Sequence, residues 1–361
     1  MPLSSNIDQA VAVRPGEELN LQALNHYLKD ELSDFSEIIH IRQYPGGYSN
    51  LTYLIETQTR DYVLRRPPFG ANIKSAHDMG REYQVISLLK QVYPQVPTAI
   101  LYCNNENIIG SPFYLMEKVS GVILRNRPPK DLILTTELMG GISKAAIDNL
   151  ANLHKINIYE TGLIGLGKPE GFVERQVMGW IKRYRNAQTD VLTDMDFLAD
   201  WTVSHLPPET KTPAFLHNDY KYDNLILNPD KLTQILAVLD WEMATVGDPL
   251  MDLGTTLAYW AEPDDHPALK QFSMTALPGN LSREEIAARY AQNTGSNLDN
   301  FVFYYAFACF KIGVIGQQIY ARYQKGFTKD ERFGNLIYLI KACARNGYLA
   351  VKQNRISRFE Q

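Results

Sequence analysis

The sequence is poor in cysteine and has no large excess of either charge. Its three cysteines, Cys103, Cys309 and Cys343, lie far apart among apolar neighbours. This distribution provides neither a disulfide framework nor a cysteine-based metal site, so we expect reduced core thiols in a cytosolic protein. The formal net charge of −4 and the isoelectric point near 6.0 argue against a basic nucleic-acid-binding surface, and we expect no nucleic-acid partner.

The sequence also lacks an internal repeat, a low-complexity tract and a long hydrophobic run. The most apolar run, residues 301–310, is too short to span a bilayer, so we expect a buried helix there and no membrane segment. Residues 1–18 have no sustained apolar stretch, unlike a signal peptide, and are expected to form a loose arm. With 361 residues, 45% of them hydrophobic, the chain is long enough for two lobes with separate cores or for one large domain.

A run of polar residues separates two short apolar segments in the second half of the chain. It reads His217-Asn218-Asp219-Tyr220-Lys221-Tyr222-Asp223-Asn224. Residues 234–240 then predict a short buried strand that ends with the carboxylate of Asp240. Asn and Asp are common turn residues, so a loop alone explains any one of these positions. Their joint order favours a functional site in which the loop and the strand end share one cleft.

The spacing within this run is typical of a phosphoryl-transfer site. Asn224 follows Asp219 by five residues, as in the H-R-D-x-x-x-x-N catalytic loop of protein kinases, and Lys221 follows Asp219 by two. Such a site needs a carboxylate that orients the attacking hydroxyl and oxygen ligands that hold Mg²⁺ against the nucleotide phosphates. We therefore predict Asp219 as the catalytic carboxylate and Lys221 as a catalytic cation. Asn224 and Asp240 are the predicted Mg²⁺ ligands, and His217 is predicted to orient the loop.

The polar run, followed by L-D-W-E-M-A-T-V-G-D-P-L-M-D-L-G at residues 239–254, resembles the aminoglycoside phosphotransferase and choline kinase family. That family usually reads H-G-D-x-H-x-x-N, then I-D-W-E, then G-D-P-x-x-D-L. The present sequence departs from it with Asn218 in place of glycine and Lys221 in place of histidine. The resemblance implies an α+β, bilobal protein-kinase-like fold, ATP and Mg²⁺ as cofactors, and a small-molecule hydroxyl acceptor.

The same resemblance suggests a role for one carboxylate at the start of the helix that follows. Asp248 before Pro249 is explained by structure alone, because it is a standard helix N-cap with proline at the first helical position. Asp252 lies in the first turn, where a carboxylate is favoured by the helix dipole. The resemblance implies instead that Asp252 braces the catalytic loop through backbone amides.

The periodicity of apolar residues predicts a β-rich first part and a helical second part. Strands are predicted at residues 38–43, 51–57, 62–65, 99–102 and 113–118. Helices are predicted at residues 19–32, 76–92, 136–155, 173–187, 195–204, 249–260, 283–294, 300–324 and 334–353. We therefore predict an arm and leading helix over 1–36, a nucleotide-binding lobe with a small antiparallel sheet and one helix over 37–118, and a mainly helical lobe with the acceptor site over 119–361.

Two features of the first part fit a nucleotide site. Gly46 and Gly47 lie between the first two strands, where their backbone amides can approach phosphate oxygens and Ser49 or Asn50 can add a side-chain donor, although a plain hairpin turn explains the glycine pair equally well. Residues 113–119 are the predicted hinge. Met116 is expected at the back of the pocket, and the backbone of Glu117 and Val119 is expected to bond an adenine.

Arg65, in the third predicted strand, occupies the place of the kinase lysine that holds the α and β phosphates. Glu82 on the following helix is its predicted partner, with a solvated helix charge as the alternative. Arg66 should point to the opposite face of the strand and meet solvent. Residues 64–70 read L-R-R-P-P-F-G, which resembles the subgroup of the family that is fused in animals to acyl-CoA dehydrogenases.

The sequence gives opposing indications of the acceptor. Three acids suit a cationic amine, as in aminoglycoside or choline kinases: Glu262, Asp264 and Asp265. Four basic residues and two aromatic residues on one predicted helix suit an anionic acceptor such as a hydroxyacyl-CoA: Arg175, Lys182, Arg183, Arg185, Trp180 and Tyr184. Solvation explains either cluster, and the subgroup resemblance favours the hydroxyacyl-CoA. A nucleotide-binding module without turnover stays open, whereas a protein kinase is disfavoured because no A-P-E segment is present.

Overall fold

The computed structural model describes residues 9–45, 50–69, 78–127, 132–271, 273–327 and 330–360. The protein has a bilobal, kinase-like α+β fold, and its chain divides into two compact units. The first unit comprises Met1–Ile123, Ile226–Asp230 and Leu236–Met243, and the second comprises Leu124–Leu225, Lys231–Ile235 and Ala244–Gln361. After entering the second unit, the chain therefore returns twice to the first.

The first unit is built mainly of strands. Its elements are α1 (Leu21–Glu31), β1 (Ile38–Gln43), β2 (Leu51–Thr57), β3 (Asp61–Arg66), α2 (Met79–Leu89), β4 (Ala99–Cys103), α3 (Glu106–Ile109) and β5 (Phe113–Glu117). The strands form one antiparallel sheet in the order β1-β2-β3-β5-β4, which makes β3 the central strand. The predicted strands at 38–43 and 51–57 are confirmed to the residue, and α2 begins after Asp78, whose side chain accepts a hydrogen bond from the amide of Arg81.

One face of this sheet and helix α1 form the core of the first unit. Leu24 and Leu28, one helical turn apart on α1, pack in one cluster with Tyr53 of β2, Leu64 of β3 and Phe113 of β5, and all five are buried. This arrangement follows from the two periodicities, since residues four apart share a helix face and alternate residues share a sheet face. The core thus fixes β3, the strand that carries Arg65.

Arg66, at the end of β3, does not face solvent, and that prediction is wrong. Its side chain is buried, with a relative exposure of 1%. The guanidinium donates hydrogen bonds to the carbonyl oxygens of Pro67 and Ile109, and it lies 3.7 Å from the ring centroid of Phe69. Both faces of the strand are covered at this point, and the two carbonyl groups supply the partners that a buried guanidinium needs.

The remaining elements lie mostly in the second unit. They are α4 (Thr136–His154), α5 (Phe172–Ala187), α6 (Thr193–Ser204), β6 (Ala214–Leu216), β7 (Leu225–Asn228), β8 (Lys231–Val238), β9 (Thr245–Gly247), α7 (Pro249–Tyr259), α8 (Pro267–Lys270), α9 (Arg283–Thr294), α10 (Phe301–Gln324) and α11 (Leu336–Gln353). The seven helices predicted in this half are confirmed to within two residues at each end.

Two short strand pairs frame the polar run that the sequence singles out. β6 pairs with β9 in antiparallel register, with Phe215 opposite Val246, and β7 pairs with β8. The run therefore leaves one small sheet and enters the other. The predicted strand at 234–240 is displaced, because β8 ends at Val238 and Asp240 lies two residues beyond it with a left-handed φ of 68°.

Helix α10 is much longer than the apolar run that predicts it. It has 24 residues, and an 18-residue window within it has a mean hydropathy of 1.2, so by length and composition alone it is long and apolar enough to cross a membrane. However, 78% of its apolar window is buried inside the protein, as in a core helix. Cys309 on α10 and Cys343 on α11 lie in this interior, and all three cysteines are buried and free of disulfides, as predicted.

Helix α7 packs unusually close to α10. A Cβ atom added to Gly254 of α7 would lie 2.6 Å from the carbonyl oxygen of Tyr304 on α10, which is closer than real Cβ atoms approach. Glycine therefore permits the contact. The close approach matters because α7 carries Asp252 and α10 carries Lys311, and both side chains reach the polar run.

Candidate active site

The polar run, residues 217–224, is called the catalytic loop from here on, and it begins with a strained residue. Asn218 has a φ of 65°, a left-handed conformation that side chains other than those of glycine, asparagine and aspartate rarely adopt. This conformation explains why asparagine can replace the glycine of the usual family pattern.

The amides at the start of the loop are held by a single carboxylate from α7. Asp252 accepts hydrogen bonds from the backbone amides of His217, at 2.6 Å, and Asn218, at 2.8 Å. Its side chain is fully buried. These contacts are the bracing that the family resemblance implies. The helix dipole, the competing explanation for Asp252, does not account for two specific bonds to the loop.

Asp252 is supported in turn by a residue that the sequence reading missed. His154, the last residue of α4, lies with Nε2 3.1 Å from Oδ2 of Asp252 and Nδ1 2.7 Å from the hydroxyl of Tyr290 on α9. Burial opposes the charge of Asp252, but the hydrogen bond and charge of His154 and the amide of His217 outweigh burial and lower the Asp252 pKa. Asp252 therefore stays an ionised acceptor for the loop amides.

His217 orients the loop through its backbone and its ring. Its side chain is completely buried, and Nδ1 accepts a hydrogen bond of 3.2 Å from the backbone amide of Asp219. Because Nδ1 is an acceptor, the neutral ring carries its proton on Nε2. These contacts match the predicted orienting role and place the imidazole beside the backbone of Asp219.

Asp219, Lys221 and Asn224 are brought together as predicted. The ammonium group of Lys221 lies 3.1 and 2.9 Å from the two carboxylate oxygens of Asp219. The amide nitrogen of Asn224 donates to the backbone oxygen of Asp219 at 2.9 Å and to its Oδ2 at 3.1 Å. A short 3₁₀ turn, Tyr222–Asn224, brings Asn224 back to Asp219. The carboxylate is thus fixed by two donors within its own loop.

Tyr259, at the end of α7, is a second neighbour that the sequence reading missed. Its ring centroid lies 4.7 Å from the ammonium of Lys221, within the range of a cation–π contact. Burial raises the pKa of Tyr259, and a hydrogen bond to Asp219 adds to the effect. The phenol therefore stays neutral and belongs to the immediate surroundings of the catalytic loop.

In the first unit, Arg65 contacts its predicted partner Glu82 and also Asp240, which the sequence predicts only as a metal ligand. Nη1 of Arg65 donates to Glu82 Oε1 on α2 at 2.5 Å, and Nη2 donates to Asp240 Oδ1 at 2.9 Å. Burial opposes the arginine charge, but Glu82, Asp240 and Glu242 together raise the Arg65 pKa well above its ordinary value. The guanidinium fork reaches both carboxylates at once, which a single ammonium group matches poorly.

Of the four loop residues predicted near the nucleotide phosphates, the structure describes only Asn50. Gly46, Gly47 and Ser49 lie outside the described residues. Asn50 is buried, and its amide nitrogen donates to Glu242 Oε2 at 2.9 Å. Glu242 also acts electrostatically on Arg65. Asn50 therefore lies near the ion-paired group of Arg65, Glu82 and Asp240.

The predicted hinge residues are positioned by β5. Met116 is buried opposite Val63 of β3. The backbone amide of Glu117 donates to the carbonyl of Thr98 at 2.9 Å, so only the Glu117 carbonyl, not its amide, suits an adenine. Val119 packs against an apolar cluster of Ile123, Ile226, Ala237, Leu236 and Leu239. The cluster provides an apolar wall of the kind on which a base packs.

The predicted metal ligands have suitable donor chemistry for Mg²⁺. The amide nitrogen of Asn224 is engaged by the carboxylate of Asp219, which accepts but cannot donate, so Asn224 offers its oxygen as a ligand. Asp240 offers a carboxylate. Within the described chain, no three His, Cys, Asp or Glu side chains gather as a metal site. A small donor set is nevertheless typical of Mg²⁺, which is usually bound by one or two carboxylates together with substrate phosphates.

Two of the three acids considered for a cationic acceptor are paired with a buried arginine. Glu262 and Asp265 are buried, and each forms a salt bridge with the guanidinium of Arg283, at 2.8 and 2.7 Å. Asn346 also donates to Asp265 at 3.0 Å. The hypothesis that Glu262 and Asp265 meet an amine acceptor is therefore wrong, because their charges are already neutralised inside the second unit.

The basic cluster on α5 divides between structural contacts and exposed charge. Arg175 bonds the backbone carbonyls of Lys168 and Glu170, and Arg185 forms a salt bridge with Asp196. Arg183 is exposed and lies 4.4 Å above the ring of Trp180. Lys182 is exposed, and Tyr184 is buried. Lys182 and Arg183 thus remain as charges that molecules in solution can reach.

Comparison with known proteins gives relatives along nearly the whole chain. Human acyl-CoA dehydrogenase family member 11 is 34% identical over 334 residues, which cover 90% of this chain and 42% of that protein. The chain thus spans less than half the length of this relative. A solved structure from Ralstonia eutropha, described as a candidate aminoglycoside phosphotransferase, superposes with a TM-score of 0.79 at 27% identity and covers 95% of this chain and 100% of its own.

A more distant structure shares the fold alone. The GDP and kanamycin complex of APH(2″)-IIIa superposes with a TM-score of 0.60 at 15% identity, over 89% of this chain and 99% of its own. The model of the phosphotransferase enzyme family matches residues 40–287, a range that includes Arg65, Glu82, the catalytic loop, Asp240 and Asp252. With the catalytic loop braced by Asp252 and Arg65 paired with Glu82 and Asp240, the chain belongs to the phosphotransferase enzyme family.

Proposed function

We propose that this protein transfers the γ-phosphoryl group of ATP to a hydroxyl of a small molecule. The observation that carries the proposal is the fixed carboxylate of Asp219, held by Lys221 and Asn224 in a loop whose backbone is braced by Asp252. Such a carboxylate orients an attacking hydroxyl and accepts its proton. The GDP complex of a protein with the same fold supports the use of a nucleotide.

Each residue has a distinct part in this proposal. Asp219 orients the hydroxyl and accepts its proton as the hydroxyl oxygen bonds the γ-phosphorus, while the bond from that phosphorus to the β,γ-bridging oxygen breaks and ADP leaves. Lys221 and Arg65 offset the negative charge of the phosphates, and Met116 and Val119 pack against the base. Asn224 and Asp240 would hold Mg²⁺, which supplies positive charge against the triphosphate when bound. That Asn224 and Asp240 share one metal ion stays a prediction.

We further propose an anionic acceptor, with a hydroxyacyl-CoA preferred over an amino alcohol. Two carboxylates that would attract an amine, Glu262 and Asp265, are neutralised by Arg283. Lys311 lies at the catalytic loop, and the exposed Arg183 acts on it electrostatically and stacks on Trp180. The name of the human relative adds support for an acceptor that contains an acyl-CoA group. An aminoglycoside or choline-type acceptor is the alternative, supported by the names of the structural neighbours.

The proposal is tested by measuring MgATP consumption with a panel of acceptors: hydroxyacyl-CoA thioesters, the free hydroxy acids, choline and kanamycin. We expect the Asp219→Asn variant to lower kcat by about 10²- to 10⁴-fold, the usual contribution of a positioned general base. Asp240→Asn should raise the Mg²⁺ concentration needed for half-maximal rate. Asp200→Asn, an exposed carboxylate on α6, is the matched control and should leave the rate unchanged.

The outcomes separate three interpretations. Turnover of hydroxyacyl-CoA with a kcat/KM well above that of choline and kanamycin supports the anionic acceptor. The reverse preference assigns the protein to the amino-alcohol kinases instead. ATP binding without turnover on any acceptor, unaffected by Asp219→Asn, contradicts the enzymatic proposal and identifies a nucleotide-binding module.

A further inference from the structure

Lys311 is a buried charge to which the proposed phosphoryl transfer assigns no step. It lies in the middle of α10, a long apolar helix, with a relative exposure of 4%. Its ammonium donates hydrogen bonds to the backbone oxygen of Asn218 at 3.3 Å and to Thr255 Oγ1 at 3.4 Å, and it lies 5.8 Å from the ring centroid of Trp180. A lysine is rarely buried to this extent without a specific partner. Here the partner is the catalytic loop.

The bond to Asn218 fixes the peptide group that precedes the catalytic carboxylate. In the peptide unit between Asn218 and Asp219, the oxygen accepts from Lys311 and the nitrogen donates to Nδ1 of His217. The preceding amide, that of Asn218, donates to Asp252. The peptide plane is therefore held on both sides, and its orientation determines where the Asp219 side chain begins.

This anchoring matters because Asn218 is in a left-handed conformation, with a φ of 65°. A residue other than glycine keeps that conformation only when its surroundings impose it. Asp252 constrains the amide side of Asn218 and Lys311 constrains the carbonyl side. A glycine at this position would adopt the same conformation without such support.

We propose that Lys311 is a positioning residue: its ammonium, bound to the carbonyl oxygen of Asn218, sets the orientation of Asp219 for phosphoryl transfer, and its deprotonation releases the loop. The inference rests on the proposed function. It adds a residue from α10 to the catalytic loop and makes activity depend on the protonation of that residue.

The charges around Lys311 place its titration near the physiological range. Burial disfavours the ammonium and outweighs the other effects, lowering the Lys311 pKa from 10.5 to about 8. Asp252 on α7 and Asp219 in the loop favour the charged form, whereas Arg183 on α5 disfavours it. A charged donor forms the stronger hydrogen bond, so loss of the proton weakens the hold on Asn218.

The same titration changes stability in the opposite direction. Between pH 8 and 10.5 the folded protein has released the Lys311 proton while the unfolded chain still binds it. Stability rises with pH wherever the unfolded state binds more protons. The penalty for the buried charge is therefore complete below pH 8 and is relieved as the pH rises. Activity should fall over the same range in which this contribution to stability grows.

The kinetic test compares wild type with Lys311→Met and Lys311→Arg between pH 6.5 and 10. For Lys311→Met we expect kcat to fall about 10- to 100-fold, the range for a lost charged hydrogen bond, with little change in the KM for MgATP. The wild-type kcat should decline with a pKa near 8. That decline should be absent in Lys311→Met and displaced to higher pH in Lys311→Arg, whose guanidinium remains charged. Lys144→Met, an exposed residue on α4, is the matched control.

Two further measurements separate this inference from the proposed function. Hydrogen exchange of the peptide 214–224 at pH 7 should be faster in Lys311→Met, and the rise in unfolding free energy from pH 8 to 10 seen in wild type should be smaller in the variant. Equal exchange in both proteins overturns the positioning role, whether or not turnover is detected. A wild-type protein with no phosphoryl transfer to any acceptor overturns the proposed function, and the exchange measurement then still decides the role of Lys311.

Discussion

At the scale of single residues, two left-handed positions stand out. Asn218 has a φ of 65° and directly precedes Asp219. Asp240 has a φ of 68° and is itself a residue of the proposed site. Asparagine and aspartate tolerate this conformation better than most side chains, but it remains costly for both. Asp240 keeps it beside a salt bridge from Arg65. Strain at such positions is retained when the geometry is needed for function.

Replacement of Arg65 tests whether the two acids it joins need a forked cation. Lys keeps the charge but presents a single ammonium group, so Arg65→Lys should lose one of the contacts to Glu82 and Asp240. We expect the KM for MgATP to rise about tenfold, equivalent to ~1.4 kcal/mol. Arg42→Lys on β1, an exposed arginine, serves as the control. An unchanged KM in Arg65→Lys would show that the fork is dispensable.

The sequence predicts those site residues that are close together along the chain. Asp219, Lys221 and Asn224 are recognised because a loop of fixed length brings them together. Tyr259 and Lys311 reach the same loop from helices distant in sequence, His154 supports it through Asp252, and only tertiary packing reveals these three residues. The one available signal for Lys311 is a lysine directly after the apolar run 301–310. The hypothesis that Glu262 and Asp265 meet an amine acceptor failed for the same reason, since their partner Arg283 follows about twenty residues later in the sequence.

At the scale of elements, helices are predicted well because their ends carry local signals. α7 begins with Asp248 and Pro249, and α9 begins with a capping box formed by Ser282 and Glu285. The three-residue strands β6 and β9 have no such signal, since their pairing is decided by the fold. α10 continues well beyond its apolar run, and the predicted bounds of 300–324 agree with its observed ends to within one residue.

The close packing of α7 on α10 predicts opposite effects for two glycines. Gly254→Ala would place a Cβ 2.6 Å from a backbone oxygen of α10, so we expect a loss of about 1–3 kcal/mol of stability from overpacking. Gly179→Ala on α5 meets no atom within 4 Å and should gain up to ~1 kcal/mol from helix propensity. Urea unfolding of both variants measures the difference. Equal stability in the two would contradict the packing argument.

At the scale of the whole molecule, buried charge ties separate parts of the second unit together. Arg283 begins α9 and bonds Glu262 and Asp265, and it also donates to the carbonyl oxygens of Trp260 and Ile356. These partners lie before α8 and after α11. A single guanidinium thereby joins segments that are about a hundred residues apart in sequence.

Loss of this arginine should destabilise the fold more than loss of a comparable surface pair. Arg283→Met leaves two buried carboxylates without their counter-charge, and we expect the free energy of unfolding to fall by about 3–5 kcal/mol. Arg289→Met, on the same helix, breaks a partly exposed pair with Asp148 and should lose no more than ~1 kcal/mol. Thermal or urea denaturation compares the two. A loss of similar size in both variants would show that the buried ion pairs of Arg283 contribute no more to the free energy of unfolding than the partly exposed pair of Arg289.

The buried thiols of the second unit have a practical consequence. Burial raises the pKa of Cys309 to about 12, and burial together with the neighbouring Cys309 raises the pKa of Cys343 well above its ordinary value. Alkylating reagents attack the thiolate, so both sulfurs are shielded chemically as well as sterically while the core is closed. Their rate of modification by iodoacetamide therefore reports how often the helical interior opens transiently. Mass spectrometry can follow that rate without any engineered label.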